Sequence, residues 1–194
     1  SPEMKNKAVP IVIGTAFRFF SDVYFIKFFL LCLNQMDGSP IISHCEGRDV
    51  RLITLKHDRG EFLFRVAGVF IHNNKILLMR TSKGTAWVLP GGRLEINEKS
   101  ADAVIREFKE ELGFSMKVNR PLWVIENFNA YGNRNLHEFG IYYRLEAERL
   151  DEIRWEPDEF HGIEDAVKLT FKWFDWDELE HITLYPLCIK ELLK

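Results

Sequence analysis

Cysteine is scarce in this chain. Its 194 residues include three, Cys32, Cys45 and Cys188, far apart and with no C-x-x-C pair. An odd and scattered set signals neither a disulfide framework nor a zinc site. A reducing cytoplasm is the expected setting. Charge of one sign is lacking too. The formal net charge is −3, so there is no global pull towards nucleic acid or an anionic membrane. Lys and Arg form no continuous basic stripe with interleaved aromatics, and no nucleic-acid partner is expected. No uncharged run reaches the roughly 18 residues of a membrane span. Repeats and low-complexity tracts are absent. Hydrophobic residues at 46% and charged residues at 28% match a soluble globular domain and exclude a disordered chain or a collagen.

The charge that is present is unevenly placed. Residues 49–144 carry a net +4 and residues 145–194 a net −8. The middle of the chain tends to attract anions, and the C-terminal part presents an acidic surface.

The first 48 residues differ from the rest. Residues 8–33 are apolar and Phe-rich, but Pro10, Gly14, Arg18, Asp22 and Lys27 interrupt them. Three readings stay open: an extension packing on the core or on a second copy in a homodimer, membrane contact by residues 8–33 at an interface, or sequence foreign to the natural protein. The expected division is an N-terminal extension over 1–48 and a catalytic domain over 49–194.

From residue 49 the pattern predicts an α+β fold, a mixed β-sheet sandwiched between helices. Strands are expected at 51–55, 62–72, 75–80, 85–89, 115–128, 139–146 and 168–174. Asn73-Asn74 is a hairpin signal. A helix is expected over 99–112, with Asn97 as its cap and Gly113 as its stop. The polar stretch 147–166 reads as a long loop, and Trp155–Glu159 within it as either a solvated loop or a lid that contributes a carboxylate. Helices are expected to start at 175 and to run over 187–193.

One stretch carries chemistry. On a helix, residues advance 100° each, so Glu107, Glu110 and Glu111 share a face beside the apolar Val104, Phe108 and Leu112. Three like charges at i, i+3 and i+4 repel one another. A hard divalent cation, Mg²⁺ or Mn²⁺, would compensate them through oxygen ligands. Gly91-Gly92 just upstream lets a backbone carbonyl approach a metal or phosphate closely. Arg106 is the cation beside the acidic face.

The whole pattern is G-x5-E-x7-R-E-U-x-E-E-x-G-U, with U apolar, and it spans 23 residues from Gly92 through Glu98 to Phe114. Each fixed position has a chance match of roughly 5–7%, so an accidental match of the set is remote. This stretch resembles the Nudix box, and the chain is similar to the MutT-like Nudix hydrolases over about residues 60–180. Phe108 stands where the family more often has an aliphatic residue. The resemblance implies Mg²⁺-dependent hydrolysis of a nucleoside diphosphate linked to a group X, releasing a nucleoside monophosphate and phospho-X. It implies Glu107, Glu110 and Glu111 as metal ligands with the Gly91 carbonyl. Arg106 would position Glu107, and Glu98 would act through a water or another ligand. The general base stays open between a box glutamate and a carboxylate from a distal loop. The competing class is a non-catalytic nucleotide-binding or regulatory module, against which the complete glutamate set argues.

Outside the box, His137 and Glu138 are candidates for a distal base, and Glu126 is another. Arg65 and Arg80 are candidates for phosphate contact. Trp87, Trp123, Phe128 and Tyr131 are candidates for stacking on a base. Tyr131 lies 17 residues beyond Phe114. A tyrosine at that offset resembles the dinucleoside polyphosphate hydrolases, and the proline that would resemble ADP-ribose hydrolases is absent. The identity of X stays open.

Overall fold

The computed structural model describes residues 11–13, 52–82, 84–131, 134–157, 159–163 and 168–194. Most of the 1–48 extension, including residues 14–33, Cys32 and Cys45, lies outside the described residues. Among those described, no helix is long and apolar enough to cross a membrane.

The strands in chain order are β1 (Ile11–Ile13), β2 (Thr54–His57), β3 (Gly60–His72), β4 (Lys75–Thr81) and β5 (Trp87–Val88). Helix α1 (Ser100–Leu112) follows. Then come β6 (Met116–Tyr131), β7 (Arg134–Ala147), β8 (Glu159–His161), β9 (Leu169–Asp175), β10 (Leu184–Tyr185) and one helical turn, α2 (Ile189–Leu192). They form a mixed sheet in the order β1-β6-β7-β3-β4-β5-β10, with β2 on β3 and β9 on β4. The α+β expectation holds. β3 and β7 run parallel, and β6 and β7 form a long antiparallel hairpin.

Local chemistry explains the elements. Asn73 and Asn74 have φ of 48° and 63°. Two consecutive left-handed residues make the tight β3–β4 turn, and Asn tolerates that conformation better than most residues. Pro121 cannot donate to a ladder, and the β6–β7 register slips on both sides of it, at Val118/Arg120 and Pro121/Trp123. The strand bulges there and continues to Tyr131, past the expected end at 128.

Two cores occupy the two faces of the sheet. On one face, Val104, Phe108 and Leu112 of α1 pack on Val66, Phe70, Tyr143 and Leu145. Phe108 is fully buried, so Phe108→Ala should cost about 3–5 kcal/mol. On the other face, Ala67, Val69, Ile125 and Tyr142 pack under Leu179, Leu184 and Ile189.

Four expectations are corrected. Asn97 does not cap α1. It sits at φ 65° in the turn before the helix, and Lys99 takes the cap position with no side-chain bond. The segment after 175 makes only a short 3-10 turn over Glu178–His181, with Asp177 accepting from the Glu178 N–H. The last helix shrinks to one turn after Pro186, whose carbonyl accepts from Ile189 N at 2.9 Å. The 147–166 stretch contains β8, which pairs with β9. Trp155 stacks on His72 with ring centroids 4.1 Å apart and packs on Trp173. These contacts fasten Trp155 to the sheet, so it is not part of a solvated loop.

Candidate active site

Residues 90–94 run beside β3 as an irregular extra strand. The N–H groups of Gly68 and Val66 donate to the carbonyls of Pro90 and Gly92 at 2.8 and 2.9 Å, and Leu94 N–H donates to the Phe64 carbonyl at 3.0 Å. That alternation turns the Gly91 carbonyl away from β3. Gly91 has φ 142°, and a Cβ there would strike the Val66 carbonyl. Glycine is therefore required for both reasons, backbone angle and space. A Cβ on Gly92 would collide with the carboxylate of Glu107. The missing side chain is what lets this carboxylate lie against the loop.

Helix α1 presents the acidic residues unequally. Glu110 is exposed, Glu107 is largely covered, and Glu111 is buried. Burial pushes the Glu107 carboxyl above the ordinary carboxylate range, and the nearby Arg106 guanidinium opposes it. Arg106 is the hub. Its Nε and Nη2 donate to Glu98 Oε1 and Oε2 at 2.7 and 3.0 Å. Its Nη1 donates to Glu107 Oε1 at 3.0 Å and to Glu110 Oε2 at 2.9 Å. Its Nη2 also reaches the Arg93 carbonyl at 3.2 Å. The hydrogen bond from Arg106 holds Glu98 below the ordinary carboxylate range. Glu98 Oε2 further accepts from the Glu95 N–H at 3.1 Å, which braces the turn that carries it.

The helix ends at Gly113, φ 77°, whose N–H donates to the Lys109 carbonyl at 3.0 Å. This is the left-handed stop expected of glycine. The Ile163 N–H, two residues beyond β8, donates to the Glu111 carbonyl at 2.8 Å and ties down the same turn.

Arg65 lies on β3 on the face opposite α1. Its Nη2 donates to the Leu89 carbonyl at 3.2 Å, next to the Pro90-Gly91-Gly92 loop. Its charge also acts on Glu107. Glu138 shares this face of the sheet: Arg65 pairs with Gly140 and Leu63 with Glu138. The structure thus brings Glu98, Arg106, Glu107 and Glu110 together beside the Gly91-Gly92 loop, with Arg65 next to that loop and Glu138 on the adjoining sheet face. Arg80 is not brought to this group. It lies 4.6 Å over the Trp87 ring and 3.5 Å from Glu159. His137 and Glu126 pair at 2.9 Å on the opposite face of the β6–β7 hairpin from Glu138. There His137 stacks on Phe128 at 4.4 Å. Trp123 packs near Tyr142, at 6.3 Å between centroids. The β6 backbone ends at Tyr131, and that side chain lies outside the described residues.

Known proteins resemble this chain in sequence and fold. The family model of the NUDIX domain matches residues 63–192. The chain belongs to the Nudix family. A Nudix hydrolase of Bacillus subtilis (strain 168), YvcI, is 40% identical over 128 residues, covering 64% of this Nudix chain and 74% of that protein. Diphosphoinositol polyphosphate phosphohydrolase 2 of Homo sapiens is 29% identical over 127 residues, covering 60% of this chain and 67% of its own. The MutT NUDIX hydrolase from Burkholderia pseudomallei shares the fold, with a TM-score of 0.53 at 21% identity, covering 69% of this chain and 98% of that one. This Nudix chain is accordingly an enzyme of the hydrolase class, and its α+β sheet is the Nudix fold.

Sequence reasoning gave no place to Leu89 and Glu95, whose backbone carbonyl and N–H hold the side chains of Arg65 and Glu98.

Proposed function

We propose that the protein hydrolyses the diphosphate linkage of a nucleoside diphosphate bound to a further group X, in the presence of Mg²⁺ or Mn²⁺. The observation that carries this reading is the fit of the Glu107 carboxylate into the space left by Gly92. Family members generally use divalent cations, and the donor set suits one. Glu107, Glu110 and Glu111 offer hard carboxylate oxygens on one helix, and the Gly91 carbonyl faces away from β3. These four would hold the ion. A divalent cation held there would supply charge to neutralise phosphate oxygens and would lower the pKa of a water it bound.

The chain's own groups do the rest. Arg106 fixes Glu107 and Glu110 in place and is itself held by the two-point pairing with Glu98. Arg65, beside the loop, is placed to contact a phosphate oxygen. A carboxylate of the site takes the proton from the attacking water, and Glu138 and the box glutamates are the candidates. The products are a nucleoside monophosphate and phospho-X.

The test is a hydrolysis screen with Mg²⁺ over nucleoside triphosphates, dinucleoside polyphosphates, nucleotide sugars, ADP-ribose, NADH and coenzyme A, with Glu111→Gln as the blank. A hit that the variant abolishes supports the reading. Undiminished turnover in Glu111→Gln removes Glu111 from the machinery. Silence over the whole panel in folded protein overturns the substrate class.

A further inference from the structure

Helix α1 lies over Val66, Phe70, Tyr143 and Leu145. On the same side of the sheet, the rows nearer the β6–β7 hairpin lie beyond those contacts and turn aromatic. Leu55, Phe62, His137 and Phe128 form one row across β2, β3, β7 and β6. Phe64, Phe139 and Glu126 form the next. His137 stacks on Phe128 at 4.4 Å and meets Phe62 edge-on at 5.0 Å, and Phe64 meets Phe139 edge-on at 5.6 Å. The polar members, His137 and Glu126, bond each other at 2.9 Å. Phe128 and Leu55, at the two ends of the first row, stay 65% and 59% exposed. An apolar patch several strands wide marks an interaction surface.

The path of the chain supplies an occupant. β1 forms one border of the patch. Its Ile13 pairs with Glu126, and it runs parallel to β6, towards the hairpin. β2 forms the opposite border, on the side of β3 away from β7, with Thr54 opposite Leu63. Residues 14–51 connect the two borders and lie outside the described residues. The borders are four strand spacings apart, about 19 Å, a gap well within the reach of 38 residues. The connection has two faces of the sheet to choose from. At this level the opposite face carries Arg65 and Glu138, and the near one carries rings.

We propose that the aromatic face is the docking surface of the chain's own residues 14–33. Six of the chain's 16 phenylalanines fall in that stretch: Phe17, Phe19, Phe20, Phe25, Phe28 and Phe29. Its charged residues are Arg18, Asp22 and Lys27. Such a stretch gains by leaving water, and the exposed rings of the patch gain with it. The tether decides between this occupant and a second copy of the chain. A segment attached at both borders of the patch is present at an effective concentration of the order of millimolar, well above that of a free second chain. Docking on this side also leaves the face of Arg65 and Glu138 open.

The experiment uses the full chain with Phe128→p-benzoylphenylalanine, a photoreactive aromatic at an exposed position that tolerates the larger ring. The protein is irradiated, and the adducts are separated by size and mapped by mass spectrometry. Most of the adduct is expected within the monomer, to residues between 14 and 33. Adducts that join two chains overturn the proposal in favour of a second copy. Adducts confined to neighbours such as Phe62 and His137 overturn it too, because the face is then bare. A second measurement needs no photochemistry. Phe128→Asp in the full chain sets a charge against the covering rings and should lower the melting temperature by about 4 °C or more. On an uncovered surface the same change does little, so an unchanged melting temperature also overturns the proposal.

Discussion

Arg106 and Glu98 meet in a two-point pairing, Nε to Oε1 at 2.7 Å and Nη2 to Oε2 at 3.0 Å. The planar guanidinium matches the carboxylate fork, and lysine cannot reproduce the match. Arg106→Lys should therefore lose most of the turnover while folding normally. Arg106→Ala leaves Glu98 and Glu107 partly buried without their cation and should destabilise the fold by about 2–4 kcal/mol. Denaturant melts alongside initial rates check both. Wild-type turnover in Arg106→Lys would remove the positioning role.

Gly92→Ala tests the fit of the loop to the helix. The added methyl meets the Glu107 carboxylate, the far end of a flexible side chain, so the chain still folds. The carboxylate moves instead. A displacement on the order of 1 Å at a reacting centre costs about 100-fold in rate, and that is the expected fall in kcat. Circular dichroism should be unchanged.

Gly68→Ala tests the spacing of helix and sheet. A Cβ at Gly68 would stand 2.6 Å from Phe108 Cε2 and 2.8 Å from Cζ, and would also meet Leu145. Overpacking of this kind costs about 1–3 kcal/mol. A lowered denaturation midpoint with an unchanged slope is expected.

Glu178 supplies a pH-dependent term away from the site. Its carboxylate accepts from Lys172 Nζ at 2.9 Å and from Asp175 N–H at 2.8 Å. The lysine contact, then the backbone bond, hold its pKa below the ordinary value. A carboxylate with a depressed folded pKa contributes stability that is present above its unfolded pKa and lost as pH falls through the folded one. Glu178→Gln should therefore lower the melting temperature at pH 7 and converge with wild type as pH drops below about 4. The group is 39% exposed, so solvent screening keeps the effect at about 1 kcal/mol or less.

The box was legible because its chemistry demands particular residue types at fixed helical spacing. Glycine at 91, 92 and 113 answers to backbone angle or space, and the carboxylates at 98, 107 and 110 converge on Arg106. Asn73-Asn74 was legible for the same reason, since the turn needs two left-handed residues. Other features answer to tertiary context. Glu159–His161 is three residues long, too short for alternation to show, and becomes a strand only because β9 lies beside it. Asn97 carries a good capping side chain, but the turn before α1 holds it at φ 65°, out of the cap position. Arg65 and Glu138 are far apart in the chain, and only the parallel β3–β7 register puts them on one face.

The bond from Ile163 N–H to the Glu111 carbonyl has a mechanical consequence. Helix α1 is clasped twice, by the Glu98–Arg106 fork near its middle and by Ile163, just after β8, at its last turn. A rod held at two stations cannot slide along its axis. The gap between the glycine loop and the row of carboxylates then behaves like the opening of a caliper whose setting is locked from the acidic C-terminal side. Strain applied at β8, far from the loop in sequence, would be felt as a change in that setting.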